Sequence, residues 1–545
     1  MADVTGLVFG AVGILTSLKG TLDTALLIEC YFDNEKLNCN YLALCYHIQK
    51  TRLDLWRQAY KIDDVSACPL RIQSVEVQNL ILQILGQITQ LLDESTKLAE
   101  RHDIRTPSLS SALQAHDAVI KALSKQRVTP KAKFLWTIKG KVEFEEKVLR
   151  IATLVDSLQS FTLNASESQS LDRALPSMSL KHITTDNMLQ ALQAPETKVG
   201  AALSLSAKAK ELQNNLARLS NNCNSTTVID SDRLNFLRNS PNIAILRSTT
   251  SYTSVWVEWG IISEGAAGDE YICRIKALGY LLKELGGPTL RLPICHGIFD
   301  DLAYQATTGV RRIGYVFGAP LHSTPRYESD FRDHPPRTLS NLIQTRSFPV
   351  PLLGDRFTLA FTLATAFCNF HSAGWLHKGF HSENVVFLAQ TSSQDEAVIK
   401  VTDPFITGFQ YSRPTNSKSL SRGPLENCEL EYYYHPSADQ GFSRRIDLYS
   451  LGVVLCEIGR WGLVGNSVSR ETQQKMVNRE AWRKYLIKKM LPEMGWRMGE
   501  KYQCAVRTLL ECRLPDDDED YDSNGGFFEQ QYFERVIQPL SLCSA

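Results

Sequence analysis

The segment Leu376–Asn384 carries the residues of this 545-residue chain whose types and spacing come closest to catalytic chemistry. It lies between a helical pattern and the apolar run Val385–Leu388, which predicts a loop between a helix and a short strand. Asn384 has a side chain that can hold a metal ion, and it stands five residues after Gly379. A glycine has no side chain with which to orient or deprotonate a nucleophile. The segment therefore offers one metal-binding side chain and no base.

This loop resembles the catalytic loop of protein kinases, His-Arg-Asp-x-x-x-x-Asn, with His377 at its start and Asn384 at its end. In that family the Asp accepts the proton of the attacking hydroxyl, and the Asn holds a metal ion. The spacing is the same here, but Gly379 replaces the base. The resemblance implies the shape of a kinase loop without its catalytic group.

A second stretch, Asp447–Gly459, resembles the kinase helix that begins with D-x-x-S-L-G. In kinases this Asp caps the catalytic loop through backbone N–H groups, which is a structural role. The resemblance implies four residues that hold the fold together: His377, Phe409, Asp447 and Gly452.

The periodicity of residues 229–545 agrees with that resemblance. Strand patterns surround one helical pattern at 270–285, and a mostly helical stretch follows, which is the order of a bilobal kinase. Gly318-Ala319-Pro320 falls where the hinge between lobes is expected. We therefore predict an α+β bilobal protein-kinase-like domain over residues 229–545, with strands at Val255–Trp259, Leu292–Phe299 and Arg312–Phe317 and a helix at Asp355–Ala373.

The groups with which a kinase holds nucleotide are absent from their expected positions. Leu246–Ser254 contains no glycine, although a glycine-rich loop is expected there. The strand lysine is replaced by Glu258 or Gly260, and an acidic residue there would repel phosphate groups. We therefore interpret the domain as a pseudokinase.

The metal-binding Asp-Phe-Gly motif has two possible registers. In the preferred one Gly408-Phe409-Gln410 corresponds to the motif, so Gly408 replaces the metal-binding Asp. In the other, Asp403-Pro404-Phe405 corresponds to it, and Asp403 keeps the ability to bind a cation. No cofactor is expected with certainty, but Asn384 and Asp403 could together still bind ATP and Mg²⁺ weakly.

Residues 1–225 are predicted to form an all-α helical bundle, because apolar residues recur every three or four positions. Three helices are expected, at Leu42–Tyr60, Val75–His102 and Phe134–Phe161. From about residue 162 a polar linker follows, and within it a brace helix at Val199–Leu219 is placed where it could pass a conformational change between domains. The expected core comprises Leu53, Leu55, Trp56, Val77, Leu80, Ile81, Ile84, Leu85, Ile88, Leu91, Leu92, Trp136, Val142, Val148, Leu149, Leu154, Val155 and Leu158.

The order of features in this region resembles the HeLo domain of fungal heterokaryon-incompatibility proteins. The stretches that carry the resemblance are Gly6–Gly13, Arg52–Trp56, Lys133–Trp136 and Phe144–Leu158. HeLo domains release an apolar N-terminal segment into a membrane, so the resemblance implies the same for Thr5–Leu18. This segment is shorter than the roughly 20 residues of a spanning helix. Its membrane-facing residues would be Leu7, Val8, Phe9, Val12, Ile14 and Leu15.

Composition favours a cytoplasmic protein. The formal net charge is zero, with 59 basic and 59 acidic residues, so no global field attracts nucleic acid. The 13 cysteines are scattered without paired spacing, which argues against a disulfide framework or a zinc site. The segment Thr5–Leu18 follows Asp3 rather than a basic region, so a signal peptide is not expected.

Together the two resemblances predict a multidomain cell-death or incompatibility effector, in which a pseudokinase controls a membrane-targeting bundle. An upstream signalling protein or ligand would trigger it. The active form would be a homo-oligomer that binds anionic lipids and is recruited to the plasma membrane. Two alternatives remain: a divergent active Ser/Thr-type protein kinase, and a non-catalytic signalling scaffold.

Overall fold

The chain forms two compact units, Met1–Val199 and Gly200–Ala545. The first is helical, and the second is a mixed α/β unit with a sheet. The segment Thr5–Leu18, with all six residues predicted to face a membrane, lies outside the described residues. The computed structural model describes residues 40–60, 68–69, 73–101, 141–162, 175–176, 179–180, 183, 186–193, 201–215, 228–248, 251–262, 268–320, 326–391, 397–414, 428–468, 478–515 and 527–545.

The described part of the first unit contains α1 (Asn40–Ala59), α2 (Val75–Arg101), α3 (Lys141–Thr162) and α4 (Asp186–Gln193). Helix α3 packs against both α1 and α2, and α4 packs against α1. Their apolar stripes meet because residues three and four apart share a helix face. The shared core contains Leu53, Trp56, Ile81, Ile84, Leu85, Ile88, Leu92, Phe144, Val148, Ile151, Val155 and Leu158.

The predicted stripe of α2 is confirmed, since five of its eight residues are buried and Val77, Leu80 and Leu91 pack against them. On α3 the prediction is wrong at Leu149, whose side chain is 63% exposed. The buried face of α3 follows Phe144, Val148, Ile151 and Val155, and Leu149 lies one residue, about 100°, away from it. The start predicted at Phe134, with Trp136, lies outside the described residues.

The second unit begins with α5 (Ala201–Asn214) and continues into a five-stranded antiparallel sheet. Its spatial order is β1-β2-β3-β5-β4. The predicted strands are confirmed as β3, β4 and β5, whereas the first hairpin was not predicted. The strands are β1 (Leu234–Leu237), β2 (Ser240–Arg247), β3 (Tyr252–Ile262), β4 (Ile294–Asp300) and β5 (Arg311–Gly318).

Helix α6 (Gly268–Leu285) packs against β4 through the apolar face that its sequence predicted. Ile275, Leu278, Leu282 and Leu285 are buried on that face. The rest of the unit is mostly helical, with short strands between: α7 (Leu302–Thr308), β6 (Arg337–Thr338), α8 (Leu339–Gln344), α9 (Leu353–Ser372), β7 (Trp375–Leu376), β8 (Val385–Phe387), β9 (Ala389–Thr391), β10 (Ala397–Ile399), β11 (Phe405–Ile406), β12 (Arg413–Pro414), α10 (Arg444–Arg460), α11 (Arg479–Tyr485), α12 (Leu491–Met498), α13 (Glu500–Leu510), α14 (Phe527–Tyr532) and α15 (Gln538–Ser541).

Helix α10 lies at the centre of this helical region. Every residue from Ile446 to Gly459 is buried, and the helix packs against α9, α12 and α13. Gly452 allows the close approach to α13, because a Cβ at this position would lie 2.9 Å from Cβ of Leu509. A helix that is buried all round is typical of the core of a large domain.

Helix α5 packs within the second unit, against α6 and α9. The sequence analysis grouped this brace helix with residues 1–225, but its buried side, with Leu203, Ala207 and Ala209, is part of the second unit. Nζ of Lys208 lies 2.5 Å from a carboxylate oxygen of Glu284 on α6. No helix among the described residues is long and apolar enough to cross a membrane.

Candidate functional site

The start of the loop Leu376–Asn384 is held by the side chain of Asp447 on α10. The Asp447 carboxylate accepts hydrogen bonds from the backbone N–H groups of His377, at 2.7 Å, and Lys378, at 2.8 Å. It also accepts one from Nε2 of His371, near the end of α9, at 2.9 Å. All four residues are buried. Helices α9 and α10 therefore fix the start of the loop together.

These hydrogen bonds decide the charge of the buried groups. Burial alone would raise the pKa of Asp447, but its bonds with His371 and with the N–H of His377 hold the pKa below its usual value. Burial lowers the pKa of His377, whose Nε2 bonds to the carbonyl oxygen of Thr407 at 2.7 Å. The His377 ring also packs on Phe409, with ring centroids 5.2 Å apart. The contacts thus favour the ionised form of Asp447, whereas burial favours the neutral form of His377.

The end of the loop is closed by contact between Asn384 and Gly408. Gly408 has φ = +81°, and a Cβ at this position would lie 2.1 Å from Nδ2 of Asn384. The Asn384 amide oxygen accepts a hydrogen bond from the N–H of His381 at 3.1 Å. The carbonyl of Asn384 accepts one from the N–H of Thr407 at 2.9 Å. The Asn384 amide therefore fills the space that a side chain at position 408 would need.

Strand β3 brings a carboxylate to this end of the loop. Oε2 of Glu258 accepts a hydrogen bond from the backbone N–H of Gly408 at 2.8 Å. Burial raises the pKa of Glu258, although its bonds with Thr407 and Gly408 favour the charged form. A Cβ at Gly260, two residues along β3, would lie 3.4 Å from Cβ of Gln410. An acidic side chain and a glycine in ordinary contact with Gln410 thus occupy the positions where a phosphate-binding lysine is expected.

Asp403 is held elsewhere in the unit. Its carboxylate forms an ion pair with Arg291 and accepts hydrogen bonds from Tyr327 and from Gln390, the latter at 2.5 Å. It precedes β11, in which Ile406 pairs with Val385 at the end of the loop. The residues that follow β11, rather than Asp403, contact Asn384. The structure therefore does not bring Asn384 and Asp403 together.

The middle of the loop is held by a buried network that the sequence analysis did not identify. The Ser382 and Tyr433 hydroxyl oxygens lie 2.9 Å apart, and the Tyr433 hydroxyl donates to the Glu457 carboxyl group at 2.9 Å. The N–H of Val464 also donates to Glu457, at 3.0 Å. Burial raises the pKa of Glu457 to about 7. The site is thus connected to α10 at two points, Asp447 and Glu457.

The contacts described above hold the loop at its start, its middle and its end. Gly379, which lies buried beside the N–H groups that Asp447 binds, supplies no base. In the part of the chain that the structure describes, no group of three or more His, Cys, Asp or Glu residues could hold a metal ion. Sequence reasoning located His377, Asn384, Phe409 and Asp447 but missed the bond from Gly408 to Glu258. A glutamate within the apolar run of β3 was the available sign.

Comparison with known protein families covers both units. Residues 6–192 match the HeLo family, described as prion-inhibition and propagation. Residues 315–543 match a domain of unknown function, DUF7580. No curated protein matches the chain. The HeLo match suggests a function related to fungal cell death or incompatibility, and the chain carries a HeLo domain over residues 6–192.

Proposed function

We propose that the second unit is a kinase-like domain without catalytic activity, which controls a membrane-targeting HeLo domain. The observation that carries the proposal is the contrast within one loop. Asp447 holds the loop start through backbone N–H groups, which is the role implied by the kinase resemblance. At the other end, Glu258 and the Asn384–Gly408 contact occupy the expected phosphate and metal positions.

The electrostatics of the site supports a domain without catalytic activity. A phosphoryl-transfer site stabilises developing negative charge with preorganised cations and N–H donors. Here the N–H of Gly408 already donates to a carboxylate, and that carboxylate would repel a phosphate placed nearby. The unit therefore acts as a binding and switching module, triggered by a ligand or a signalling protein.

The membrane role of the HeLo domain supports the other half of the proposal by family resemblance. On release, the segment Thr5–Leu18 enters an anionic membrane as part of a homo-oligomer, and the protein moves from the cytoplasm to the plasma membrane. The switch requires a trigger that favours the released state by a few kcal/mol, because a two-state equilibrium moves no further than the differential affinity of its ligand.

Dye leakage from anionic vesicles tests this function. We expect the first unit, residues 1–199, to release dye once circular dichroism shows it to be helical, and the full chain to release much less. Phe9→Asp in the fragment serves as the matched control and should abolish leakage without loss of helix. A helical fragment that forms oligomers and still leaves vesicles intact would contradict the proposal and favour a scaffold.

A phosphorylation assay separates this function from a divergent active kinase. The proposal predicts no magnesium-dependent transfer of phosphate from ATP to the protein itself or to a generic protein substrate. Transfer by the full chain that disappears in Asn384→Ala would show that the loop is catalytic, and the pseudokinase half of the proposal would then be wrong.

A further inference from the structure

Large apolar side chains are exposed around the C-terminal end of α10. The segment that precedes α9 exposes Val350 and Leu352, the latter with 77% of its surface. Phe348, in the same segment, stacks on Trp461, which follows α10, with ring centroids 6.3 Å apart. On α12, Trp496 is 71% exposed. Single exposed apolar residues are common, but a group of them around one set of charges marks an interaction surface.

Three arginines connect these apolar side chains. Nη1 of Arg356, in the first turn of α9, donates to a backbone carbonyl oxygen near the end of α10 at 2.9 Å. Arg460 and Arg497 both pair with the carboxylate of Glu493, at 3.5 and 3.4 Å. The Arg497 guanidinium also lies over the ring of Trp496, 4.3 Å from its centroid. The segment before α9 and Trp496 are therefore joined through the end of α10.

The charges of this group do not balance. Glu493 supplies one negative charge to the two guanidiniums of Arg460 and Arg497. The acceptor of Arg356 is a neutral carbonyl group. Burial lowers the pKa of Arg356, and the positive charge of Arg497 acts in the same direction. Because arginine stays protonated in proteins, the group carries three positive charges against one negative charge and attracts anions.

An anionic membrane surface satisfies both features at once. Tryptophan is enriched at the interface between membrane and water, and exposed aliphatic side chains gain by entering the boundary of the acyl chains. Arginine can keep its stem along apolar surface while its guanidinium reaches lipid phosphates. Each basic side chain near an anionic membrane strengthens binding by about fivefold. Apolar tips beside unbalanced arginines therefore favour lipid as the partner.

We propose that the surface formed by Val350, Leu352 and Trp496 around the three arginines binds anionic membrane lipids. The proposal deepens the membrane recruitment proposed above and rests on it for the choice of partner. It adds a contact made by the second unit to the insertion of Thr5–Leu18. Two linked contacts hold the chain on a membrane more tightly than either alone, because the second one forms within an already bound molecule.

Co-sedimentation of the full chain with dye-filled phosphatidylserine vesicles tests the proposal. Every chain carries Phe9→Asp, so that insertion of the N-terminal segment does not contribute. We expect this chain to bind phosphatidylserine vesicles and to bind neutral phosphatidylcholine vesicles at least about tenfold more weakly. Binding that is lost with Phe9→Asp alone overturns the proposal and leaves the membrane role of Thr5–Leu18 standing. Binding that persists supports it, even if the first unit releases no dye.

Variants in the Phe9→Asp chain locate the binding. Leu352→Ser combined with Trp496→Ser should weaken it by about tenfold or more, and Arg497→Gln by about fivefold. Leu302→Ser is the matched control, because this leucine is 66% exposed but lies on α7 beside the sheet. Thermal unfolding checks that each variant is folded. Vesicle affinity that is unchanged in the paired variant, or reduced equally by Leu302→Ser, would overturn the proposal.

Discussion

An acidic side chain accepts backbone hydrogen bonds at each end of the loop Leu376–Asn384, but the pKa values of the two carboxyl groups shift in opposite directions. At the start, Asp447 accepts hydrogen bonds from two backbone N–H groups and from His371, and its pKa is lowered. At the end, Glu258 accepts hydrogen bonds from the backbone N–H of Gly408 and from the Thr407 side chain, but burial still raises its pKa. The comparison teaches that the pKa of a carboxyl group that loses contact with water stays below its usual value only when enough donors replace that water. Asp447 anchors the start of the loop through three donors, whereas Glu258 contacts the end of the loop through the N–H of Gly408.

The largest loss of stability is expected when the Asp447 side chain is removed. Asp447→Ala leaves the N–H groups of His377 and Lys378 buried without an acceptor, so we expect a loss of about 3–5 kcal/mol in the free energy of unfolding. Urea denaturation followed by tryptophan fluorescence measures it. Asp447→Asn keeps one acceptor oxygen and should cost less. A cost of Asp447→Ala below about 1 kcal/mol would show that the loop is held by other contacts.

Glu457 is the acidic residue connected to the middle of the loop, and its pKa can be compared with those of Asp447 and Glu258. Its pKa is raised to about 7 from the ordinary value of 4.5, so the neutral form is favoured in the folded state. Its contribution to stability is complete below about pH 4.5 and is lost as the pH rises through about 7, a change on the order of 3 kcal/mol. The free energy of unfolding measured against pH should lose this slope in Glu457→Gln. The exposed Glu500→Gln controls for removal of a carboxylate, and an unchanged slope in Glu457→Gln would contradict the assignment.

Gly408→Ala should cost about 2 kcal/mol, because the new Cβ must displace the Asn384 amide and φ = +81° is strained for alanine. Gly309→Ala is the matched control. Gly309 also lies in the left-handed region, with φ = +75°, but has no atom within 4 Å of the added Cβ, so it measures the backbone strain alone, about 1 kcal/mol. Asn384→Ala should recover the steric part of the Gly408→Ala loss in a double-mutant cycle. Equal costs at the two glycines would mean that the Asn384 amide moves aside freely.

The smallest effect is expected at Glu258, whose side chain is only partly buried. The pKa of Glu258 is raised, so its neutral form is favoured on folding and stability is lost as the pH rises above about 4.5. Glu258→Gln keeps an acceptor for the N–H of Gly408 and removes this loss. Thermal unfolding should therefore show the variant equal to the native chain near pH 4 and more stable by less than about 1 kcal/mol at pH 8. A variant less stable at pH 8 would mean that the charged form stabilises the site.

The sequence predicted the parts of this structure that follow from local periodicity. The stripe of α2 and the buried face of α6 are examples, because a repeat of three or four residues places a face against the core whatever the partner helix is. Leu149 was misplaced because two neighbouring apolar positions on α3 compete for one face, and only the packing of α1 and α2 decides between them.

At the candidate site, too, only residues that belong to local motifs could be predicted from the sequence. Asp447, His377 and Asn384 could be located from motif spacing along the chain. The hydrogen bond from Gly408 to Glu258 joins residues 150 positions apart, and the glutamate within the apolar run of β3 did not indicate which residue it would contact. The network of Ser382, Tyr433 and Glu457 likewise depends on where the segment after β12 packs, so it could not be predicted from spacing.

The burial of α10 has a consequence for how the second unit can be observed. Its backbone N–H groups from Ile446 to Gly459 lie beneath other elements on every side, so no local fraying gives water access to them. Their exchange with deuterium therefore requires opening of the whole unit, and the slowest-exchanging amides of this helix report its global free energy of unfolding. The exchange rates of the α10 amides therefore distinguish ligands that stabilise the entire unit from ligands that stabilise a single loop.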